Sequence, residues 1–249
     1  MKLAGKTALV IGGHGGIGSA IVAALTAEGA KVCIASIEVD LTICTVACPV
    51  VFFDIRDAAS INTMVDQVLQ HIGHIDIMVN SAGVIDTSLL VDVNVDTYHN
   101  LFDVNVFGTV FSMQAVAKCM IAAGNGGNII NIASTAGRRG EINLSLYCAS
   151  KAAVISLTQT AAFELIKHGI RVNSILPGIV DTAMLDSLIA KRSVTTDAND
   201  VVEQMQKHIP IGYVAQPTQI ATCVTFLASD DSSYMVGESM VVSGGLYVG

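Results

Sequence analysis

The chain has 249 residues, of which 52% are hydrophobic and 14% are charged, with 22 glycines and no tryptophan. This composition excludes a disordered or collagen-like chain and allows one large core. The formal net charge of −8 offers no basic surface to nucleic acid and opposes an anionic membrane, so we expect neither partner.

The cysteines and the amino-terminal segment bear on the compartment. Six cysteines occur at positions 33, 44, 48, 119, 148 and 223, without a C-x-x-C pair, and we expect reduced core thiols because a chain of this length needs no disulfides. The first apolar run is too short for a signal peptide or a membrane span, so we expect a cytoplasmic protein. Without H-E-x-x-H or paired cysteine ligands, we expect no catalytic metal.

Short apolar runs, most of them followed by a longer helix-compatible stretch, recur along the chain. They are TALVI (7–11), KVCIA (31–35), VVFF (50–53), IDIMVN (75–80), NIINIA (128–133), RVNSIL (171–176) and SMVVS (239–243). Continuous hydrophobicity is typical of strands buried on both faces. The pattern predicts an α/β fold, a Rossmann-type doubly wound parallel sheet with helices on both faces, in a single domain over 1–249. The charged insert 183–212 is predicted to be a substrate lid.

A glycine cluster, Gly12-Gly13-His14-Gly15-Gly16-Ile17-Gly18, follows the first predicted strand and opens a helical stretch. Glycine permits a tight turn and close approach of the backbone to a pyrophosphate, and the helix amino terminus provides N–H donors. The cluster therefore indicates dinucleotide binding, although a glycine turn that only packs helix on strand is the alternative. His14 is interpreted as a loop residue.

Tyr147 and Lys151 lie four residues apart in a predicted helix, so they share one helix face and can enter the same site. A cation beside a phenol favours the phenolate, which makes tyrosine a usable base near neutral pH. An exposed helix pair would show the same spacing. Ser134, however, follows a predicted strand whose carboxyl end opens onto the ligand crevice of a parallel sheet.

Taken together, these motifs resemble the short-chain dehydrogenase/reductase family over the whole chain. The family's T-G-x-x-x-G-x-G pattern is matched by Gly12, Gly16 and Gly18, with Ile11 in place of threonine. Asn80-Ser81-Ala82-Gly83 is similar to its N-N-A-G turn, and PGIVDT (177–182) is similar to its nicotinamide-side loop. Its catalytic tetrad is matched in order and spacing by Asn105, Ser134, Tyr147 and Lys151.

The resemblance implies hydride transfer between a nicotinamide cofactor and a secondary alcohol or ketone. Tyr147 would exchange the hydroxyl proton, and Ser134 would hydrogen-bond the substrate oxygen. Lys151 would lower the pKa of the tyrosine and hold the nicotinamide ribose. Asn105 would position a water that extends the proton path, although it could instead satisfy backbone groups at a helix kink.

The cofactor contacts that the resemblance implies come from six segments of the chain. They are Gly12, Gly16, Ile17, Gly18, Ser36, Asp54, Ile55, Asn80, Ala82, Gly83, Tyr147, Lys151, Pro177, Gly178, Val180 and Thr182. Asp54 matches the family's adenine-contacting position, and the alternative for it is a helix N-cap.

The preference between NAD and NADP depends on the end of the second predicted strand. The family's NAD users commonly have an acidic residue where Ser36 stands, and its NADP users often have arginine where Ile37 stands. Glu38 and Asp40 would repel a 2′-phosphate, and no lysine or arginine lies within 32–55 to bind one. We therefore expect NAD, with NADP the less favoured cofactor.

For the substrate, residues 134–181 are similar to bacterial polyol dehydrogenases of this family, of the sorbitol type. Buried hydroxyl groups need hydrogen-bond partners, and several polar side chains between Ser134 and Tyr147 could provide them: Arg138, Arg139, Glu141 and Asn143. The two arginines could instead face solvent or another subunit. Apolar residues in the lid favour a less polar alcohol or ketone: Ala183, Met184, Leu185 and Leu188.

Three other functions compete with a polyol dehydrogenase. Two are enzymes, a general carbonyl reductase and a 3-oxoacyl-thioester reductase, and the third is a non-catalytic cofactor-binding regulator. The complete tetrad disfavours the regulator, and the acidic charge disfavours an enzyme for acidic acyl carriers. The resemblance also implies a homotetramer joined through helices near 100–123 and 151–167, although apolar residues there, Val116, Met120 and Ile121, could equally be core.

Overall fold

The computed structural model describes residues 1–37, 47–192 and 198–248. Glu38 and Asp40, which bear on the cofactor preference, lie outside the described residues, as do Cys44 and positions 193–197 of the predicted lid.

The described chain forms one seven-stranded parallel sheet with helices on both faces, which confirms the predicted fold class. The strands are β1 (Thr7–Ile11), β2 (Lys31–Ser36), β3 (Val50–Phe52), β4 (Ile77–Asn80), β5 (Gly127–Ile132), β6 (Ile170–Pro177) and β7 (Ser239–Val242). The helices are α1 (Gly16–Ala27), α2 (Ala58–Ile72), α3 (Val95–Phe102), α4 (Gly108–Ala123), α5 (Ser145–Leu165), α6 (Ala183–Arg192), α7 (Ala198–Lys207) and α8 (Pro217–Ala228).

The strand order is β3-β2-β1-β4-β5-β6-β7, and every pair of neighbours is parallel. The direction of the order reverses between β1 and β4, which pair with Ile11 opposite Asn80. Such a reversal leaves a crevice outside the carboxyl ends of the two strands, where α/β proteins bind ligands.

Alternate residues of β1 enter two separate hydrophobic layers. Leu9 and Ile11 pack with residues of α2 and α4, whereas Ala8 and Val10 pack with residues of α1 and α8. A strand covered on both faces must be apolar at every position, which is why the strands read as continuous hydrophobic runs.

The helical stretch Val95–Ala123 has the length and composition of a membrane span, with a mean hydropathy of 1.5. Its apolar side packs in the core, because Val116 and Met120 are buried whereas Ile121 is exposed. A π-helical turn, Asp103–Phe107, joins α3 to α4 and contains Asn105. Such turns widen a helix locally and are frequent at functional sites.

Among the cysteines of the described chain, Cys33, Cys119, Cys148 and Cys223 are free thiols. Cys33 is buried within β2, and burial raises its pKa to about 11. A thiol with so high a pKa is protonated near neutral pH and behaves as a small apolar side chain.

Candidate active site

The glycine turn after β1 is shaped by contacts that leave no room for side chains. Gly12 has φ +75°, and the Gly15 amide donates to the Gly12 carbonyl over 3.0 Å. A Cβ on Gly12 would lie 2.6 Å from the backbone nitrogen of Ala82, and one on Gly16 would lie 2.6 Å from Cγ2 of Thr182. The turn therefore meets both the loop after β4 and the loop after β6.

The same turn has the donor set that an anionic group requires. The first-turn amides of α1, like those of any helix, have no intrahelical acceptor, and Gly15, the N-cap, provides no side chain to accept from them. A Cβ on Gly18 would collide with the Gly12 carbonyl. Both ring nitrogens of the buried His14 lack a hydrogen-bond partner. The diphosphate of a dinucleotide fits this turn, because the first-turn amides can donate to it and the glycine backbone lets it approach closely.

At the neighbouring edge of the sheet, Ser36 ends β2 half-buried and Ile37 is exposed. The Asp54 carboxylate receives a hydrogen bond over 2.8 Å from the Arg56 guanidinium, which lowers the pKa of Asp54. The alternative that Asp54 is a helix N-cap is wrong, because the cap of α2 is Asp57, which accepts from the amides of residues 59 and 60. Asp54 and Asp57 both precede α2, and the position at which the backbone becomes helical makes Asp57 the cap.

Ile55, another predicted cofactor contact, is buried in the core layer beneath α2 and α4. A Cβ on Gly108 would collide with its side chain. The side chain of Ile55 therefore packs against the start of α4.

The loop after β4 brings Asn80, Ala82 and Gly83 to the crevice. Asn80 Nδ2 donates to Asn131 Oδ1 over 2.7 Å, and Asn131 Nδ2 donates to Thr158 Oγ1 over 2.9 Å. This buried chain of bonds links β4 through β5 to α5. A Cβ on Gly83 would lie 3.4 Å from Nζ of Lys151, so the loop backbone lies directly against a predicted catalytic group.

Asn105 uses its whole side-chain amide within the protein. Its Oδ1 accepts from the Val84 amide, and its Nδ2 donates to the Val84 carbonyl, each over 2.9 Å. The second Nδ2 proton is directed to Ser150 Oγ, 3.1 Å away. The side chain thus bonds backbone groups, as the alternative for Asn105 predicted, and the backbone carbonyl of Asn105 accepts from the Thr109 hydroxyl.

Ser134, Tyr147 and Lys151 are all buried at the same end of the sheet. Ser134 follows β5, and as the N-cap of a short 3-10 turn, Thr135–Gly137, it accepts from the amide of residue 136. Tyr147 lies in the first turn of α5, and Nζ of Lys151 is 5.8 Å from the centre of its ring. Lys151 also donates to the Ile132 carbonyl over 2.9 Å, which holds its ammonium at the end of β5.

Burial opposes charge on both members of the Tyr147–Lys151 pair. It raises the pKa of Tyr147 to about 12, and a hydrogen bond with Ser134 acts in the opposite direction. Burial also lowers the pKa of Lys151 to about 8. The Ser134 hydroxyl is thus one group that lowers the pKa of the phenol, and the expected effect of Lys151 on that pKa stays a prediction.

A cavity of about 480 Å³ opens beside Ser134 and Tyr147. Its remaining wall combines predicted residues with residues that sequence reasoning missed: Ile17, Ile85, Thr135, Ala136, Arg139, Glu141, Leu144, Gly178, Ile179, Val180, Thr182, Met184, Leu185, Leu188, Met205, His208 and Leu246. Pro177, which ends β6, precedes this lining loop and accepts from the Thr135 hydroxyl. Arg138 and Asn143 are exposed outside the wall.

The polar side chains of the wall form an ion pair and hydrogen bonds with backbone carbonyls. Arg139 Nε lies 3.3 Å from Glu141 Oε1, and its Nη1 donates to the Leu246 carbonyl over 3.3 Å. His208 Nδ1 lies 2.6 Å from the Gln204 carbonyl. Because a carbonyl only accepts, Nδ1 carries a proton in this contact, and in the neutral ring Nε2 is then the acceptor. Met205 lies in the last turn of α7, and His208 follows directly after that helix.

Comparison with known proteins agrees with this geometry. A family model described as enoyl-(acyl carrier protein) reductase matches residues 12–247. A sorbitol dehydrogenase of Cereibacter sphaeroides is 43% identical, and a galactitol 2-dehydrogenase of Agrobacterium fabrum is 42% identical, each alignment covering 98% of both chains. The crystal structure of a short-chain type dehydrogenase/reductase from Mycobacterium marinum superposes with a TM-score of 0.89 at 32% identity, covering 100% of this chain and 98% of that one.

The chain belongs to the short-chain dehydrogenase/reductase family. It is therefore an oxidoreductase that interconverts a secondary alcohol and a ketone with a nicotinamide cofactor. The crevice between β1 and β4 has the glycine turn that such a cofactor requires, and the cavity beside Tyr147 is the space left for a small molecule.

The buried lysine of this dehydrogenase predicts a pH effect on stability. The folded pKa of Lys151 is lowered from 10.5 to about 8, so between these values the unfolded chain binds a proton that the folded chain has released. Stability contributed by this group therefore rises with pH across that window. The free energy of unfolding of the wild type minus that of Lys151→Met, measured with urea at pH 7.5 to 10.5, should become more positive as the pH rises. Lys118→Met, on the exposed side of α4, controls for the loss of one lysine, and a flat difference for Lys151→Met would contradict the prediction.

Proposed function

We propose that this protein is an NAD-dependent dehydrogenase that oxidises one secondary hydroxyl of a small polyol to a ketone. The observation that carries the proposal is the joined pair Arg139 and Glu141 in the wall of the cavity that contains Ser134 and Tyr147. The two relatives named for sorbitol and galactitol support the same substrate class.

Each residue of the tetrad has a part in this proposal. Ser134 donates to or accepts from the substrate oxygen, and Tyr147 exchanges the hydroxyl proton. Lys151, held at the Ile132 carbonyl, binds the nicotinamide ribose and stabilises the phenolate when its own proton is present. The bound nicotinamide supplies the acceptor for the hydride. Asn105 holds the loop after β4 through Val84, and a second lone pair on its Oδ1 or on its backbone carbonyl could accept from a water on the proton path.

The remaining cofactor contacts follow the crevice. We assign the diphosphate to the turn from Gly12 to Gly18, and the nicotinamide side to the loop from Pro177 to Thr182. Ser36 and Asp54 lie at the carboxyl ends of β2 and β3, where the adenosine would bind. Asn80, Ala82 and Gly83 would form the floor beneath it.

Polyol recognition rests on the mixture of donors and acceptors in the wall. Glu141 can accept from a substrate hydroxyl, Arg139 can donate to another, and Nε2 of His208 is a further acceptor. The apolar lid residues Met184, Leu185 and Leu188 also line the cavity and would cover the carbon chain. That apolar side is what favours the second candidate, a general ketone reductase.

We also propose that the chain is a single catalytic domain whose 183–212 segment is a lid, and that it forms a homotetramer. Leu185 of α6 and Met205 of α7 pack in one small cluster.

Phe163 on α5 is 74% exposed and Ile166 is 42% exposed, an apolar surface that a neighbouring subunit would cover. Sedimentation velocity showing a monomer at micromolar concentration would reject the tetramer.

Replacing Tyr147 by phenylalanine tests the assigned proton exchange. The variant retains the ring packing and loses the hydroxyl, so kcat should fall by about 10²- to 10⁴-fold while NADH binding is retained. The measurement is steady-state oxidation of a polyol panel followed at the nicotinamide absorbance. Tyr213→Phe, which changes a surface tyrosine, should leave kcat unchanged, and near-normal turnover by Tyr147→Phe would reject the role.

The cofactor preference can be tested at the end of β2. No described cation is placed to bind a 2′-phosphate there, because Arg56 is engaged by Asp54, and we expect kcat/KM to be higher with NAD than with NADP. Ser36→Asp should sharpen the preference, because a carboxylate accepts from the ribose hydroxyl and repels phosphate.

Ile37→Arg should shift the preference towards NADP, and Ile37→Gln is the uncharged control that should not. Equal kcat/KM with both cofactors in the parent protein would contradict the proposed NAD preference.

Glu141→Ala tests the polyol assignment. A hydroxyl that loses its partner costs about 1–3 kcal/mol, so KM should rise about tenfold for polyols and little for simple secondary alcohols. Glu203→Ala, on the exposed face of the lid, serves as the matched control. An equal loss on both substrate types, or efficient reduction of hydrophobic ketones without polyol turnover, would favour the ketone reductase instead.

A further inference from the structure

The segment that follows β7 forms a compact turn beside the cavity, and we call residues 243–247 the β7 turn. The Leu246 amide donates to the Ser243 carbonyl over 3.1 Å, and the Tyr247 amide donates to Ser243 Oγ over 3.2 Å. Gly244 and Gly245 have φ +61° and +88°, a backbone region that residues with side chains rarely adopt. The turn is therefore built by its own backbone and by two glycines.

The β7 turn is packed between the end of the predicted lid and the nicotinamide-side loop. The Ile211 amide donates to the Gly244 carbonyl over 3.0 Å, and a Cβ on Gly244 would lie 2.6 Å from Cγ2 of Ile211. On the other side, a Cβ on Gly178 would lie 3.0 Å from Cα of Ser243. The turn thus has little room to move away from the cavity.

Arg139 joins the same turn to the loop after β5. Its Nη1 donates to the Leu246 carbonyl over 3.3 Å, and its Nε lies 3.3 Å from Glu141 Oε1. The Arg139 side chain is 41% exposed, so these contacts add little to the stability of the fold. Their effect is on position, because one guanidinium contacts both the polar wall residue Glu141 and the backbone of Leu246.

Leu246 lies outside the hydrophobic clusters of the described chain. It is half-buried and lines the cavity, but it packs in none of these clusters. Two half-buried lid residues that line the cavity, Met184 and Leu188, are outside them as well. An apolar side chain that lines a cavity and packs in no cluster gains its contacts when a ligand covers it.

We propose that Leu246 is a specificity-determining residue that limits the carbon-chain length of the alcohol, and that Arg139 is the positioning residue that keeps Leu246 at the wall. Leu246, Met184 and Leu188 would contact the carbon chain. A longer chain is rejected by overlap with Leu246, because the β7 turn cannot retreat. The inference rests on the proposed function only in placing the alcohol in this cavity, and it applies to polyols and simple secondary alcohols alike.

Substitutions of opposite size at Leu246 test the chain-length limit. kcat/KM is measured with NAD for erythritol, xylitol and sorbitol, and for the 2-alkanols from 2-butanol to 2-octanol. Leu246→Phe should lower the ratio of kcat/KM for long over short chains about tenfold, and Leu246→Ala should raise it by about the same factor, as expected for a methylene or two in a pocket. The dissociation constant for NADH should not change. Val248→Phe and Val248→Ala, at a position that is 89% exposed, are the matched controls.

Opposite shifts of the ratio distinguish selection by Leu246 from damage to the fold, which would lower kcat/KM for short and long chains together. Any other pattern, such as ratios within twofold of the wild type in both variants, would overturn the role of Leu246. Opposite shifts with 2-alkanols but no turnover of polyols would support the role and reject the polyol substrate. Polyol turnover without opposite shifts would reject the role and leave the polyol substrate intact.

Hydrogen–deuterium exchange tests the positioning role of Arg139 without using turnover. Arg139→Met removes the bond to the Leu246 carbonyl, so the amides of Leu246 and Tyr247 should exchange about two- to fivefold faster, as expected for an exposed contact. Arg139→Lys keeps a cationic donor and should recover part of the protection. Arg138→Met, which changes the exposed neighbouring arginine, should leave exchange unchanged. Wild-type exchange in Arg139→Met would overturn the positioning role.

Discussion

The missing side chains at Gly12 and Gly16 allow three distant parts of the chain to meet at one edge of the sheet. The backbone at Gly12 lies against Ala82, and Gly16 lies against Thr182. Any side chain at either position would separate the turn after β1 from the loop after β4 or from the loop after β6. Since Gly83 of the β4 loop lies in turn against Lys151, the cofactor crevice and the predicted catalytic groups depend on the same close approach.

The energetic character of the site follows from its burial. Tyr147 and Lys151 both resist ionisation because they are buried. A hydrogen bond with the Ser134 hydroxyl lowers the pKa of the phenol, whereas the charge of Glu141 raises it. Forming the Tyr147 phenolate or the Lys151 ammonium is therefore costly before ligands bind. The same burial makes any additional charge or hydrogen bond at the site effective, because little water competes with it. A low-dielectric pocket of this kind suits a reaction in which a proton and a hydride leave together.

Much of the architecture is predictable because it depends on local pattern. Strands such as β1 must be apolar throughout, since Ala8 and Leu9 enter opposite layers of the core, and this requirement is visible as a run of hydrophobic residues. The motif positions Ser134 and Tyr147 are equally local, since one follows a strand and the other begins a helix. Their order along the chain was enough to place them at one end of the sheet.

Other features depend on tertiary contacts that no local pattern records. Asn105 is fully bonded to Val84, 21 residues away, so its side-chain role could not be separated from water binding by sequence alone. Asp57 rather than Asp54 caps α2 because of the backbone path after β3. Leu246 lines the cavity because the segment after β7 passes beside Arg139, which is 107 residues away in the sequence. For Asn105 and Leu246 the deciding neighbour is far along the chain.

In the proposed reaction a hydride passes from a secondary carbon of a polyol to the nicotinamide. The most direct measurement uses a hexitol deuterated at its secondary carbons, incubated with the enzyme and NAD, with both products analysed by NMR spectroscopy. The account predicts one deuterium at C4 of the reduced nicotinamide for each ketose formed. Failure of deuterium to reach C4, or reduction of the cofactor without any ketose, would contradict it.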